Sequence, residues 1–218
     1  SATTNTIYCI GSVTKSFTAL AVMQLVEKGL LSLEDPIEEF IDIDVKAMGE
    51  PILVKHLLSH SSGLAALRYA ETTLSAVNNT SRLWLPICSP QDLLIFMKGA
   101  EDWAISKPGQ RYSYLNEGYI LLGSIIESVS GEGYAEYVKK HILKPLHMDR
   151  SSFLEIENDD DVATPYITSQ NGERVPTRYP YGQMISDGGL MSNAMDMIRY
   201  LKMLLQIGEL DGANLASP

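Results

Sequence analysis

The sequence predicts a helix-rich chain with a few short strands near its two ends. Apolar residues recur at helical spacing in several segments, whereas β-branched and aromatic runs bounded by turn residues are scarce. Such a chain forms either a mostly helical body or the helical part of an α+β fold whose sheet needs further strands. The sequence shows no internal linker or repeat, so we expect a single domain over residues 1–218.

The first half of the chain predicts one strand followed by helices. The stretch TIYCI is β-branched and aromatic, which is typical of a strand. Apolar side chains three to four residues apart predict the helix that follows, and Gly29 is suited to end it. Residues 68–86 have weak periodicity and predict no element. The predicted elements are a strand at 6–10, a helix from Val13 to Lys28, a short helix opened by Pro36, and a short helix within 52–64.

The second half predicts more helices and one hairpin. Ser89, Pro90 and Asp92 resemble a capping box at a helix start. Asn-Gly at 171–172 is a hairpin turn signal, and the acidic run at 155–164 is expected to be a solvated loop. The predicted elements are a helix from Ser89 to about Lys98, a longer helix from Asn116 to Gly131, a helix at 134–143, a hairpin at 165–176, and a helix capped by Ser192 and ended by Gly208.

Composition and charge argue against several classes of function. The net charge is −10, and no clustered cationic face is present, so we expect no nucleic acid partner. No apolar run is long enough to cross a bilayer, and no signal peptide is visible, which favours the cytoplasm. Cys9 and Cys88 form neither a disulfide framework nor a metal-ligand spacing, and both are expected to be buried apolar residues. We expect no cofactor.

The stretch CIGSVTKSF places a serine and a lysine three residues apart at a predicted helix start. The Ser12 hydroxyl would lie near the helix N-terminus, where backbone N–H groups stabilise negative charge. Lys15 projects from the same face one turn on, so its amine can approach the hydroxyl and remove its proton. A lysine acts as a base near neutral pH only when burial favours its neutral form, and its apolar neighbours Val13, Phe17 and Ile10 are expected to bury it. The alternative is a helix-capping serine beside a solvated lysine.

A second cluster lies where Tyr114 and Asn116 meet the start of a predicted helix. A phenol can relay a proton to a leaving group, and an amide can bind a substrate carbonyl or orient the lysine. We expect Lys15 to be the acylation base and Tyr114 to share its proton, as a coupled pair can. Alternatively, Tyr114 is a core aromatic residue, since Tyr112 and Tyr119 are close by in the sequence.

Four blocks contain these motifs in order: "IGSVTKSFTALAVMQLVEKGLLSLEDPI", "VKHLLSHSSGL", "YSYLNEGYILLGSIIESVSG" and "DGGLMSNAMDMIRYLKMLL". Together they resemble the serine β-lactamase-related family, which includes penicillin-binding proteins, class C β-lactamases, and related esterases and D-peptidases. The resemblance implies an α+β fold, with an antiparallel sheet flanked by helices and a helical lobe. It also implies acyl transfer through a covalent serine intermediate, with catalytic roles for Ser12, Lys15 and Tyr114 and a substrate-binding role for Asn116.

Two features depart from the family's pattern. The family has a third motif near the C-terminus, a triplet led by histidine or lysine and ending in glycine, and this sequence ends before one. Family members also carry strands ahead of the serine helix, whereas eleven residues precede Ser12. We therefore expect a helix-rich fragment, truncated at both ends, that lacks several sheet strands. The intact protein would be a hydrolase and the isolated chain weakly active or inactive, because losing one oxyanion donor costs about 10²–10³ in rate.

Other residues have structural explanations that compete with functional ones. His56 and His60 have a zinc-like spacing, but Leu57 stands where a metalloprotease helix needs Glu, so a structural turn near the site is expected. Gly188 and Gly189 are expected to shape the site wall. The methionines around the last predicted helix are expected to lie in the core rather than at a cofactor. They are Met191, Met195, Met197 and Met203.

The expected function is that of a serine hydrolase that forms an acyl-enzyme on a small ester, a peptide or a D-amino-acid amide. A small molecule or a peptide is thus the expected partner. A dedicated β-lactamase is a narrower alternative, which the matching blocks do not single out because the whole family shares them. A non-catalytic module that binds a ligand without turnover is the alternative from another class, and a partner-binding role for the helical lobe is a third.

Overall fold

Helices provide most of the framework in the part of the chain that the computed structural model describes, namely residues 1–66, 89–153, 161–169, 171–176 and 185–217. The helices are α1 (Thr14–Glu27), α2 (Val54–Leu58), α3 (Pro90–Phe96), α4 (Asn116–Ser130), α5 (Tyr134–Val138) and α6 (Ala194–Leu205). A π-helical turn continues α5 over Lys139–Leu143, and 3₁₀ turns occupy Gly11–Val13, Ile37–Glu39 and Ala100–Trp103. Within these residues, no helix is both long and apolar enough to span a bilayer.

Short antiparallel strand pairs accompany the helices. The strands are β1 (Tyr8–Cys9), β2 (Lys46–Ala47), β3 (Glu50–Pro51), β4 (Tyr166–Thr168), β5 (Arg174–Pro176), β6 (Met191–Ser192), β7 (Glu209–Leu210) and β8 (Ala213–Asn214). Three of the pairs, β2–β3, β4–β5 and β7–β8, join neighbours in sequence, whereas β1 pairs with β6. Tyr8 lies opposite Ser192 and Cys9 opposite Met191. This pairing brings the chain just before α1 next to the segment that precedes β6.

The central element is α1, which is buried on several faces. Its Phe17, Ala21 and Val22 side chains are fully buried. The helix packs against α4, and the Phe17 ring stacks on Tyr200 of α6 with ring centroids 3.9 Å apart. Burial of a large apolar side chain stabilises a fold by about 1.5–3 kcal/mol. Packing therefore fixes the position of α1, and with it the residues at its N-terminus.

The helix-rich organisation and most predicted elements are confirmed. Gly29 follows α1 with φ 67°, and Gly131 follows α4 with φ 70°, each just past the end of its helix. Ser89 caps α3 as predicted, because its Oγ accepts the backbone N–H of Asp92 at 3.2 Å. The predicted hairpin is the β4–β5 pair.

The last helix, α6, has a different cap from the one predicted. Ser192 is not the cap, because its backbone lies in the β1–β6 pair opposite Tyr8. The cap is Asn193, whose Oδ1 accepts the backbone N–H of Asp196 at 2.8 Å. The acidic residue three positions after Asn193 is the sequence signal that distinguishes the two candidates.

The methionines around α6 do not all lie in the core. Met191 belongs to β6 and Met203 to α6, and both are fully buried. Met195, however, is 48% exposed and Met197 is half-buried. This prediction was wrong for Met195, because Met195 lies on the side of α6 that is exposed to solvent, together with the exposed side chains of Ile198 and Leu201.

Cys9 is half-buried rather than buried, and its thiol donates to the Gly188 carbonyl at 3.5 Å. Burial raises the pKa of this thiol. Cys88, the segment at 68–86 and the acidic residues 155–160 lie outside the described residues.

Candidate active site

A sharp turn places Ser12 at the N-terminus of α1. The chain leaves β1 and enters the 3₁₀ turn at Gly11–Val13, where Gly11 has φ 52°. This left-handed conformation costs residues with a side chain roughly 1–2 kcal/mol, which explains the glycine. Ser12 therefore lies just ahead of α1 rather than in its first turn, and it is exposed. Its hydroxyl remains at the positive end of the helix dipole.

Lys15 is buried, with only 6% exposure, although its cover differs from the predicted one. Phe17 is fully buried as expected, but Val13 is 48% exposed. Two tyrosine rings provide cover instead: Lys15 Nζ lies 4.9 Å from the ring centroid of Tyr114 and 5.5 Å from that of Tyr119. Aromatic faces therefore exclude water from part of the amine.

Three oxygen atoms surround the Lys15 amine. Nζ donates to Oδ1 of Asn116 at 2.7 Å and to the backbone carbonyl of Asp187 at 2.6 Å. The third oxygen, Ser12 Oγ, lies 3.5 Å from Nζ. Because Asn116 is the first residue of α4, a rigid element holds the amide that orients the lysine.

Tyr114 makes the shortest side-chain contact to Ser12. Its hydroxyl donates to Ser12 Oγ at 2.8 Å, and the residue is 39% exposed. Tyr114 is therefore not a core aromatic residue. The structure brings Ser12, Lys15, Tyr114 and Asn116 together, and the roles assigned to them stay predictions.

The segment before β6 forms one wall of the site, and α1 holds it in place. Thr18 Oγ1 donates to the Ser186 carbonyl at 2.6 Å, and Thr14 Oγ1 accepts the backbone N–H of Leu190 at 3.1 Å. These two threonines position the Asp187 carbonyl beside Lys15. Sequence reasoning missed this carbonyl because a backbone atom leaves no signal in the residue types.

Two glycines in this wall allow close approach of backbone segments. A Cβ atom at Gly189 would lie 2.8 Å from the Ile185 Cβ, closer than such atoms come. A Cβ at Gly188 would lie 3.6 Å from the Gly11 carbonyl carbon, an ordinary contact. Gly188 thus packs beside the turn that carries Ser12, in agreement with the expected place of both glycines in the site wall.

The two histidines engage different backbone groups rather than a shared metal position. His56 Nδ1 accepts the N–H of Leu53 at 3.1 Å, and His60 Nδ1 accepts that of Leu115 at 3.2 Å. His60 lies beyond the end of α2 with φ 54°, so the two side chains do not share a helix face. Among the described residues, no three His, Cys, Asp or Glu side chains are grouped as metal ligands.

Known proteins resemble this chain along nearly all of its length. The sequence profile described as Beta-lactamase matches residues 1–217. Protein flp of Staphylococcus aureus is 34% identical over 155 residues, which are 70% of this chain and 29% of that protein. The chain thus spans less than a third of this curated relative.

Solved structures show the same similarity in three dimensions. The octameric penicillin-binding protein homologue from Pyrococcus abyssi has a TM-score of 0.93 and 49% sequence identity, over 99% of this chain and 48% of that one. A D-stereospecific amidohydrolase from Streptomyces has a TM-score of 0.75 and 25% identity, over 97% of this chain and 64% of that one.

Proposed function

The chain belongs to the β-lactamase family, and on that basis we propose that it is a serine hydrolase in which a carbonyl substrate acylates Ser12. Its fold is the α+β fold of penicillin-binding proteins and β-lactamases that the resemblance implied. The observation that carries the proposal is the environment of one exposed hydroxyl. Ser12 Oγ lies 2.8 Å from the Tyr114 phenol and 3.5 Å from the buried Lys15 amine.

We infer that Lys15 is the base when its amine is neutral. A neutral amine has two N–H donors and one lone pair. Asn116 Oδ1 and the Asp187 carbonyl accept the two donors, which leaves the lone pair for the Ser12 side. Tyr114 donates to Ser12 Oγ, so the Ser12 hydroxyl can donate its own hydrogen to Lys15. Every polar hydrogen in this chain of contacts then has one acceptor.

Acylation follows from this arrangement with one proton transferred overall. Ser12 Oγ forms a bond to the substrate carbonyl carbon while its proton passes to Lys15. The oxyanion develops near the N-terminus of α1, where the helix dipole favours negative charge. The bond to the leaving group then breaks as Tyr114 protonates that group, and the Lys15 ammonium returns a proton to Tyr114. The products are acyl-Ser12 and the protonated leaving group.

We propose a small ester, a peptide or a D-amino-acid amide as the substrate. All three present an acyl carbon that a serine can attack, and one similar solved structure is described as a D-stereospecific amidohydrolase. Water then attacks the acyl carbon and gives one proton to Lys15. The bond between that carbon and Ser12 Oγ breaks, and Lys15 returns the proton to Oγ, which releases the acid and restores Ser12.

A labelled fluorophosphonate tests this proposal because it reacts covalently with activated serine hydroxyls. In the intact protein, we expect the wild type to be labelled and Ser12→Ala to be unlabelled. Ser16→Ala is the matched control, since Ser16 is exposed one turn further on and its hydroxyl donates to the Val13 carbonyl at 2.8 Å. This control should be labelled at the wild-type rate.

Labelling that persists in Ser12→Ala contradicts the proposal. A folded wild-type protein that binds a labelled penicillin reversibly, without any covalent adduct, would instead favour the non-catalytic binding module.

A further inference from the structure

His60 holds the backbone on both sides of Tyr114. Its backbone carbonyl accepts the N–H of Ser113 at 2.8 Å. Its ring Nδ1 accepts the N–H of Leu115 at 3.2 Å. One residue therefore holds the backbone N–H groups of the two residues on either side of the tyrosine whose hydroxyl reaches Ser12.

The His60 ring also packs against the aromatic side chains around the site. Its centroid lies 4.4 Å from the ring of Tyr114, 5.0 Å from Tyr119 and 5.8 Å from Tyr112. Tyr119 is in turn held by α2, because its hydroxyl donates to the Leu58 carbonyl at 2.9 Å. The ring thus limits the positions open to the Tyr114 phenol.

We propose that His60 is a positioning residue of the reaction, whose neutral ring accepts the Leu115 N–H through Nδ1 and thereby holds the Tyr114 hydroxyl on Ser12 Oγ. The inference rests on the proposed function and deepens it. His60 does not touch the reacting atoms and acts through Tyr114. A displacement of a reacting group by about 1 Å can cost about 10² in rate, so this support is expected to matter for acylation.

The hydrogen bond fixes the protonation state of the ring. A histidine nitrogen that accepts a backbone N–H carries no proton, so the hydrogen of His60 is on Nε2. Burial lowers the pKa of His60, and Lys15 lowers it further in its charged form, the form that the proposed acylation step produces. The titratable groups that face the ring are Lys15 of α1, Tyr112 and Tyr114 of the preceding loop, and Tyr119 of α4. None of them supplies the negative charge that would stabilise an imidazolium.

Two variants of His60 distinguish the effect of its hydrogen-bond acceptor from the effect of its aromatic ring. His60→Asn keeps an acceptor oxygen at the place of Nδ1 and tolerates the positive φ of this position. His60→Ala has no side-chain acceptor and tolerates a positive φ less well. We expect the fluorophosphonate labelling rate to fall about 100-fold in His60→Ala and to stay within about tenfold of wild type in His60→Asn. His56→Ala is the matched control because it loses an equivalent ring acceptor, for Leu53 N–H, away from the tyrosines. It should label near the wild-type rate per folded molecule.

Wild-type labelling in His60→Ala overturns the inference, and so does an equal loss in the Asn and Ala variants. A second measurement needs no activity: the side-chain ¹⁵N spectrum of the Ser12→Ala protein should show an unprotonated Nδ1 and a protonated Nε2 at His60. The opposite tautomer overturns the His60 assignment alone. A wild-type protein that never labels overturns the proposed function instead, so the two failures are distinguishable.

Discussion

At the scale of single residues, the two side chains that contact the Ser12 hydroxyl differ in their exposure to solvent. Lys15 is 6% exposed, whereas Tyr114 is 39% exposed. The Lys15 amine can therefore take the Ser12 proton while it is shielded from water. The Tyr114 phenol is partly exposed, where the leaving group of a substrate can depart. This difference supports the proposal that Lys15 is the base and Tyr114 the proton relay.

Replacing Tyr114 by Phe should reduce turnover while leaving substrate affinity nearly unchanged. The ring and its packing remain, but the hydroxyl that contacts Ser12 Oγ at 2.8 Å is lost. General acid–base groups typically contribute about 10²–10⁴ in rate, so we expect kcat for an alkyl ester, whose alkoxide leaving group has to be protonated, to fall at least about 10²-fold. Tyr112→Phe is the control, because Tyr112 is 68% exposed and its ring lies edge-on to the His60 ring, with centroids 5.8 Å apart. Equal kcat values for the two variants would exclude Tyr114 as the relay.

The lowered pKa of His60 predicts a pH dependence of stability. The folded protein keeps this ring neutral at pH values where the unfolded chain already binds a proton. Its contribution to the free energy of unfolding is therefore complete above the ordinary histidine pKa of about 6.5 and is lost as pH falls through the folded pKa. His60→Asn should lose less stability than wild type between about pH 7.5 and about pH 5.5. Urea unfolding at both pH values measures this, and parallel losses in both proteins would refute it.

At the scale of elements, the spacing between α4 and the wall segment sets the position of the Asp187 carbonyl. Gly123 of α4 lies so close to Ser186 that an added Cβ would be 2.8 Å from the Ser186 Cβ. Gly118, one and a half turns earlier in the same helix, would place a Cβ at 3.5 Å from its nearest neighbours. Packing therefore requires a glycine at position 123 of α4 but not at position 118.

Alanine at these two glycines should have opposite effects on stability. Gly118→Ala should raise the free energy of unfolding by at most about 0.5–1 kcal/mol, the gain of alanine over glycine in a helix interior, because Gly118 lies in the first turn of α4. Gly123→Ala gains the same propensity but pushes Ser186 away, and overpacking costs about 1–3 kcal/mol. Thermal unfolding measures the stability change of each variant. We also expect Gly123→Ala to react more slowly with the fluorophosphonate, because the wall segment would move away from Lys15. If Gly123→Ala were the more stable variant, this account of the wall would be wrong.

The long helices and the first strand were predictable from the sequence, whereas the two hairpins of two-residue strands were not. Long apolar periodicity defined α1 and α4, and a glycine marked the end of each. The β2–β3 and β7–β8 pairs were missed because strands this short have no alternation to detect. The turn of β7–β8 nevertheless contains Asp211-Gly212, a dipeptide that favours such hairpins.

At the scale of the whole molecule, the site draws on four separate parts of the chain. Ser12 and Lys15 belong to the start of α1, His60 follows α2, residues 113–116 lead into α4, and the Asp187 carbonyl precedes β6. The order of motifs was enough to predict the family fold and to nominate four side chains. It did not predict His60 or the carbonyl, because their contacts exist only once distant segments pack on α1.

The central claim is that Ser12, and no other side chain, is the nucleophile that the Lys15 and Tyr114 contacts activate. Peptide mapping by mass spectrometry of the fluorophosphonate-labelled protein tests it most directly. We predict a single adduct on Ser12, with Ser16 of α1 unmodified. An adduct on any other residue while Ser12 remains unmodified would contradict the account.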